Sequence, residues 1–182
     1  RTVLYTHGGA YCFGSLASHR PLAGYLARQL ARHEPDGTGR VLSLGYRLAP
    51  EHPFPAPVDD ALAWYRELLK QGTPPEQIVL AGDSAGGGLA LVCALAARAR
   101  KLPLPGAIVM FSPWLDLTCS GPSMKTKAFS EAMLPTRLPA QAAAKANVST
   151  KRDGAPKGAP FVFIGKCAAE EQHFRLFCPR NA

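Results

Sequence analysis

Apolar positions along the chain follow two patterns in alternation. Short, nearly unbroken apolar runs occupy 2–6, 41–46, 78–81 and 107–111. Between them apolar residues recur three and four apart: Leu22, Tyr25, Leu26 and Leu30, then Leu62, Tyr65, Leu68 and Leu69, then an Ala/Leu-rich stretch from Leu89 to Ala99. The first pattern predicts strands buried on both faces and the second predicts helices with one inward face. Ser18 is expected to cap the first helix, which runs through about His33, and Asp36-Gly37 breaks the chain after it. The second helix is expected from about Val58 to Gln71, with Gly72 as its stop. Pro50, Pro53, Pro55 and Pro57 exclude regular structure from the segment before that helix. The third helix is expected to reach about Lys101, and 102–106 connects it to the last strand.

Strand and helix alternate four times, and the strands show no polar alternation. An α/β architecture follows: a mostly parallel sheet with right-handed crossovers and helices on both faces. In such sheets the site lies at the carboxyl ends of the strands. His7-Gly8-Gly9, Tyr46-Arg47, Gly82-Asp83-Ser84 and Ser112-Pro113-Trp114 all fall there. After about Lys125 the pattern fades. A weak Ala-rich helix over 137–147, a strand over 161–165 and a short helix over 168–177 are the remaining expectations. No linker or repeat divides the chain, which reads as a single domain over 1–182.

The chain has 182 residues, enough for one domain with a real core, and 47% hydrophobic with 19% charged residues is ordinary globular composition. No apolar run approaches the ~18 residues of a membrane span, so stable membrane insertion is not expected. Residue 1 is Arg, and the chain runs straight into the first strand, as a piece of a longer chain would. The net charge of +8 is uneven: eleven basic against nine acidic residues through 121, ten against four after it. The basic residues of the second part are dispersed and lack interleaved aromatics, so nucleic acid is not expected as a partner. Five cysteines, an odd number without C-x-x-C spacing, suggest neither a zinc site nor a disulfide framework; a reducing, cytoplasmic compartment is the default.

The sharpest signal is Gly82-Asp83-Ser84-Ala85-Gly86-Gly87, set between the third strand and the third helix. G-x-S-x-G in a strand–turn–helix context is the nucleophile elbow. Glycine at 82 and 86 suits a turn too tight for side chains. The Ser84 hydroxyl is then held at a helix N-terminus, where the dipole favours developing negative charge. The backbone N–H of Ala85 is one oxyanion donor. His7-Gly8-Gly9-Ala10 ends the first strand, where an HGGG-type loop supplies further N–H groups. His7 precedes the serine and is read as fixing this loop by hydrogen bonding, not as the catalytic base.

Together, H-G-G-A-Y-C-F-G-S (7–15), Y-R-L-A-P-E-H-P-F-P-A (46–56), G-D-S-A-G-G (82–87) and S-P-W-L-D-L-T (112–118) resemble the hormone-sensitive-lipase-like family of α/β-hydrolases. The resemblance covers residues 1 to about 126, with 127–182 divergent or incomplete. It implies an α/β-hydrolase fold, truncated at both ends, and a carboxylic-ester hydrolase acting on a small ester with a Ser-Asp-His triad. It also implies Gly8, Gly9 and Ala85 as oxyanion donors, His7, Asp83, Gly82 and Gly86 as motif support, and no cofactor or metal. Ala10 replaces the third glycine of the commoner HGGG.

The triad order in this fold is Ser, acid, His. After Phe111 only 71 residues remain, with one convincing strand, and each further β-α-β step needs ~30. The family's acid would fall near Ala168, which cannot serve. Glu170 and Glu171 are the nearest carboxylates, Asp153 lies earlier, and Asp116 is read as structural. His173 is the one histidine after Ser84, two residues beyond Glu171. Glu171 and His173 are therefore the acid and base candidates, while His19, His33 and His52 are read as surface or loop residues. Two other readings stay open: a ligand-binding protein on the same scaffold, as in the plant gibberellin receptor that resembles this family yet lacks the catalytic histidine, and a truncated or frame-shifted chain without activity. Oligomeric state is not legible.

Overall fold

The computed structural model describes residues 1–34, 36–117, 119–122 and 126. In chain order it contains β1 (Thr2–Thr6), α1 (Leu16–His33), β2 (Arg40–Leu44), α2 (Ala56–Lys70), a single 3-10 turn (Pro75–Gln77), β3 (Ile78–Asp83), α3 (Ala85–Ala99) and β4 (Ala107–Phe111). All three strand pairings are parallel, and the sheet order is β2-β1-β3-β4. The chain leaves β1 toward one edge, then crosses back over it to β3 and continues to β4. Right-handed crossovers therefore put α1 on one face and α2 with α3 on the other. In agreement, α1 packs against β2, while α2 and α3 pack on each other.

Burial follows position in the sheet. The central strands β1 and β3 are the most enclosed, and Tyr5, Leu4, Ile78 and Leu80 are all buried. Edge strand β2 ends at Leu44, two residues short of expectation, because Tyr46 leaves the strand line and turns its ring into the core. Helix α3 is the most deeply enclosed, with nine of its residues buried from Ala85 to Ala97. Its first turn begins at Ala85, not near Leu89, and carries Gly86, Gly87 and Gly88.

Helix α1 starts at Leu16, and its cap lies three residues before the expected one. Ser15 is the N-cap: its Oγ accepts from Ser18 N at 3.2 Å, and Ser18 Oγ accepts from Ser15 N at 2.9 Å. Ser18 thus closes a reciprocal capping box from inside the helix. No residue of α1 is fully buried, and Tyr25, expected inward, is 42% exposed. The helix lies on the edge strand, so its apolar stripe is only half covered.

Helix α2 begins at Ala56, which places Pro57 in the first turn, where a missing N–H costs no bond. Pro57, Ala61, Leu62, Tyr65 and Leu68 are buried, and Leu69 is only partly so. The helix stops as expected at Gly72, whose φ is +83°. Thr73 N donates to Leu68 O and Gly72 N to Leu69 O, both at 3.0 Å, the paired bonds of a Schellman motif.

The helix and strand expected at 137–147 and 161–165, and the helix at 168–177, lie outside the described residues. Among the described residues no helix is long and apolar enough to cross a membrane.

The difference between α1 and α3 predicts a stability contrast. Leu89, with 0% exposure in the core, should cost about 2–5 kcal/mol when truncated to alanine. Tyr25→Ala should stay within about 0.5 kcal/mol of the parent. Urea unfolding of the two variants measures both.

Candidate active site

Strand order reverses between β1 and β3, and a crevice opens at their carboxyl ends. The loop after β1 and the turn after β3 face each other across it. Between Asp83 and Ala85 the chain passes from β3 to α3 through one residue, Ser84, held at φ +51° and ψ −120°. A serine preceding a helix ordinarily caps it through its side chain. Ser84 makes no such bond, and its hydroxyl has no hydrogen-bond partner among the described residues. The backbone is instead anchored on three sides: Ser84 N donates to Phe111 O at 2.9 Å, while Ser84 O accepts from Trp114 N at 2.9 Å and Gly88 N at 3.1 Å.

The close approach of this turn to β1 dictates its glycines. A Cβ on Gly86 would collide with the carbonyls of Thr6 and His7, and one on Gly82 would lie 2.5 Å from Thr6 O. Thr6 Oγ1 bridges the same elements, 2.8 Å from Gly86 O and 3.1 Å from Ala81 O.

The loop after β1 is equally fixed. His7 is buried; its ring stacks on Tyr46 at 4.4 Å and on His19 at 5.2 Å. Nδ1 lies 2.7 Å from Gly8 O, and since a carbonyl only accepts, Nδ1 carries the proton. Burial pushes the imidazole below its ordinary value, against the opposing pull of the Gly8 carbonyl, so the ring is neutral at pH 7. The Tyr46 hydroxyl donates to His7 O at 2.7 Å, and Ala49 N donates to Tyr11 O at 2.9 Å. The loop after β2 therefore braces the loop after β1. Arg47 in turn grips Asp60 of α2 through Nε and Nη2 at 2.8–3.0 Å.

The structure changes two of the expected roles. Gly8 was expected to offer its N–H to an oxyanion, but that N–H donates to Asp83 Oδ1 at 2.9 Å. Among the described residues the N–H groups of Gly9 and Ala10 make no such bond. His19, expected at the surface, has Nε2 3.6 Å from Asp83 Oδ2 and lies against His7. Helix α1 begins early enough to bring its first turn over the crevice, which periodicity could not show. Tyr5 is a further residue that sequence reasoning passed over: its hydroxyl donates to Asp83 Oδ1 at 2.5 Å.

Asp116 uses its carboxyl on the Ser120 N–H and hydroxyl at 2.7 and 2.8 Å, the structural role expected of it. His33 and His52 are exposed, as expected. An apolar hollow of about 80 Å³ lies beside the crevice, bounded by Tyr11, Phe54, Leu89 and Leu117, and Ser84 does not line it. Glu171 and His173, the acid and base candidates, lie outside the described residues, as do Asp153 and Glu170.

Backbone strain gathers at this edge. Among the described residues six other than glycine have positive φ, and four of them, Ala10, Tyr11, Ser84 and Ser112, stand just beyond β1, β3 and β4. Strain of this kind costs roughly 1–3 kcal/mol per residue and collects at functional sites.

The α/β hydrolase fold family matches residues 3–162. The chain is 50% identical over 137 residues to an acetyl-hydrolase of Streptomyces hygroscopicus, covering 75% of this chain and 43% of that one. An ethyl acetate hydrolase of Pseudomonas putida is 41% identical over 129 residues, covering 68% of this chain and 38% of its own. Among solved structures, the esterase EstE5 soaked in ethyl alcohol superposes with a TM-score of 0.74 at 42% identity, covering 80% of this chain and 47% of that one. An esterase from the bacterial hormone-sensitive lipase family gives 0.74 at 44% identity, with the same coverages of 80% and 47%. This chain belongs to the α/β-hydrolase fold family, in its hormone-sensitive-lipase-like branch. It spans less than half the length of each of these four relatives.

The buried neutral His7 predicts a pH dependence. Its folded-state pKa lies below the ordinary 6.5, so the unfolded chain binds the proton first and stability falls as pH drops below that value. His7→Gln should be less stable than the parent at pH 7, yet lose less stability between about pH 6.5 and pH 5. Urea midpoints across that range give the two slopes.

Proposed function

We propose that this chain carries the nucleophile and the oxyanion loop of a serine carboxylesterase acting on small esters. One observation carries the reading: Ser84 stands strained and uncapped at the N-terminus of α3, and among the described residues neither its hydroxyl nor the N–H groups of Gly9 and Ala10 have a hydrogen-bond partner. In the reaction, Ser84 Oγ attacks the ester carbonyl carbon, and its proton passes to a base. The carbonyl oxygen becomes an oxyanion facing the N–H groups of Ala85, Gly9 and Ala10. Collapse breaks the bond to the alcohol, which leaves with that proton. Water then attacks the acyl-serine and releases the carboxylic acid.

Relatives named acetyl-hydrolase and ethyl acetate hydrolase support a short acyl group. For base and acid we take forward His173 and Glu171, the candidates nearest the positions the family's triad order requires. The odd cysteine count supports a cytoplasmic location.

The test is p-nitrophenyl acetate and butyrate hydrolysis by the 182-residue chain, with phosphonofluoridate labelling read by mass. Ser84→Ala should lose the label and fall by about 10³-fold or more in rate. Equal rates for parent and Ser84→Ala overturn the reading. His173→Ala should fall as far as Ser84→Ala; parental rates in it would remove His173 from the mechanism.

A further inference from the structure

The side chain of Asp83, one residue before Ser84, points back across the crevice toward β1. We infer that Asp83 is a positioning residue that ties the oxyanion loop to the nucleophile strand. Its backbone belongs to β3, and through Ser84 N and O the next residue is fixed to the segment after β4. Its Oδ1 takes the Gly8 N–H at 2.9 Å and the Tyr5 hydroxyl at 2.5 Å. Oδ2 faces His19 Nε2 at 3.6 Å. One carboxyl therefore holds β1 and its following loop to the strand that presents Ser84, with the first turn of α1 beside it.

The hold acts on catalysis through geometry. With its N–H drawn to Asp83, Gly8 fixes the start of the loop whose next two N–H groups, those of Gly9 and Ala10, are the proposed oxyanion donors. A displacement of an ångström or so in such donors lowers turnover by about 10–100-fold without changing ground-state binding. Gly8 is itself required by this hold, since a Cβ there would collide with Asp83 Oδ2. Both hydrogen bonds go to Oδ1, while Oδ2 faces His19.

The inference rests on the esterase reading for its kinetic part and on the fold for its structural part, and two readouts separate them. Amide hydrogen exchange at Gly8, followed by NMR on the full chain, reports the tether without any turnover. Gly8 should be protected in the parent and in Asp83→Asn, whose Oδ1 still accepts, and should lose protection by about 10-fold or more in Asp83→Ala. Should Asp83→Ala leave too little folded protein, Tyr5→Phe with Asp83→Ala removes both partners of the buried bond and serves in its place. In p-nitrophenyl acetate hydrolysis the alanine variants should lose about 10–100-fold in kcat with KM within about twofold, and Asp83→Asn should keep kcat within about threefold. Continued protection of Gly8 in the alanine variants overturns the tether. A rise in KM alone, or an asparagine variant as impaired as the alanine, overturns the positioning role. A parent that neither turns over nor labels at Ser84 refutes the esterase reading, while Gly8 exchange still decides the tether.

Discussion

The first turn of α3 lies directly on the end of β1, and this contact constrains everything around the crevice. The carbonyls of Thr6 and His7 occupy the space where Gly86 would carry a side chain. Only glycine lets the helix start so close to the sheet, and only a helix starting there can follow a strand after a single residue. The abruptness of that junction forces Ser84 to φ +51°. A β3–α3 connection of ordinary length would relax the backbone and let the serine cap the helix, which would occupy its hydroxyl. The uncapped posture of Ser84 is therefore a consequence of backbone packing two residues away.

The strain this creates is held by bonds that run sideways along the sheet edge. The segment after β4 donates Trp114 N to Ser84 O, and Ser84 N bonds Phe111 O. The loop after β2 donates the Tyr46 hydroxyl to His7 O, and the loop after β1 is bonded to β3 through Gly8 and Asp83. Four strand ends are thus linked in sheet order, β2 to β1 to β3 to β4. Each link joins residues distant in sequence, so the edge forms only when the whole sheet has formed. Local preference alone would not hold Ala10 and Tyr11 at φ +54° and +62°.

Polar groups in this region are buried in a paired state. His7 is neutral and bonded, packed between the rings of Tyr46 and His19. Burial, together with the hydrogen bond to Asp83 and its charge, keeps the Tyr5 phenol protonated. Burial acts likewise on Tyr46. Around the crevice the protein thus presents hydrogen-bond donors held in place. Fixed dipoles of this kind are what the proposed oxyanion role requires, since they need no reorganisation.

The strands, three helices, parallel sheet and placement of the site at its carboxyl edge were legible in the sequence, because apolar period and glycine position report local structure directly. The elbow was legible for the same reason: G-x-S-x-G between strand and helix has one steric solution. Ser15 as cap and the half-covered face of α1 were not, since these depend on how much sheet the helix finds beneath it. The role of Asp83 was hidden behind a motif whose glycines and serine explain its spacing without it. Tyr5 reads in sequence as a core strand residue and His19 as an ordinary helix residue. Only the parallel register of β1 with β3, and the lie of α1 across the crevice, bring both onto one carboxyl beside Ser84. The sequence by itself determined which residue stands in the elbow. The tertiary structure decided that the Gly8 N–H is spent on Asp83, because a hydrogen bond between residues 8 and 83 exists only once two distant strands lie side by side.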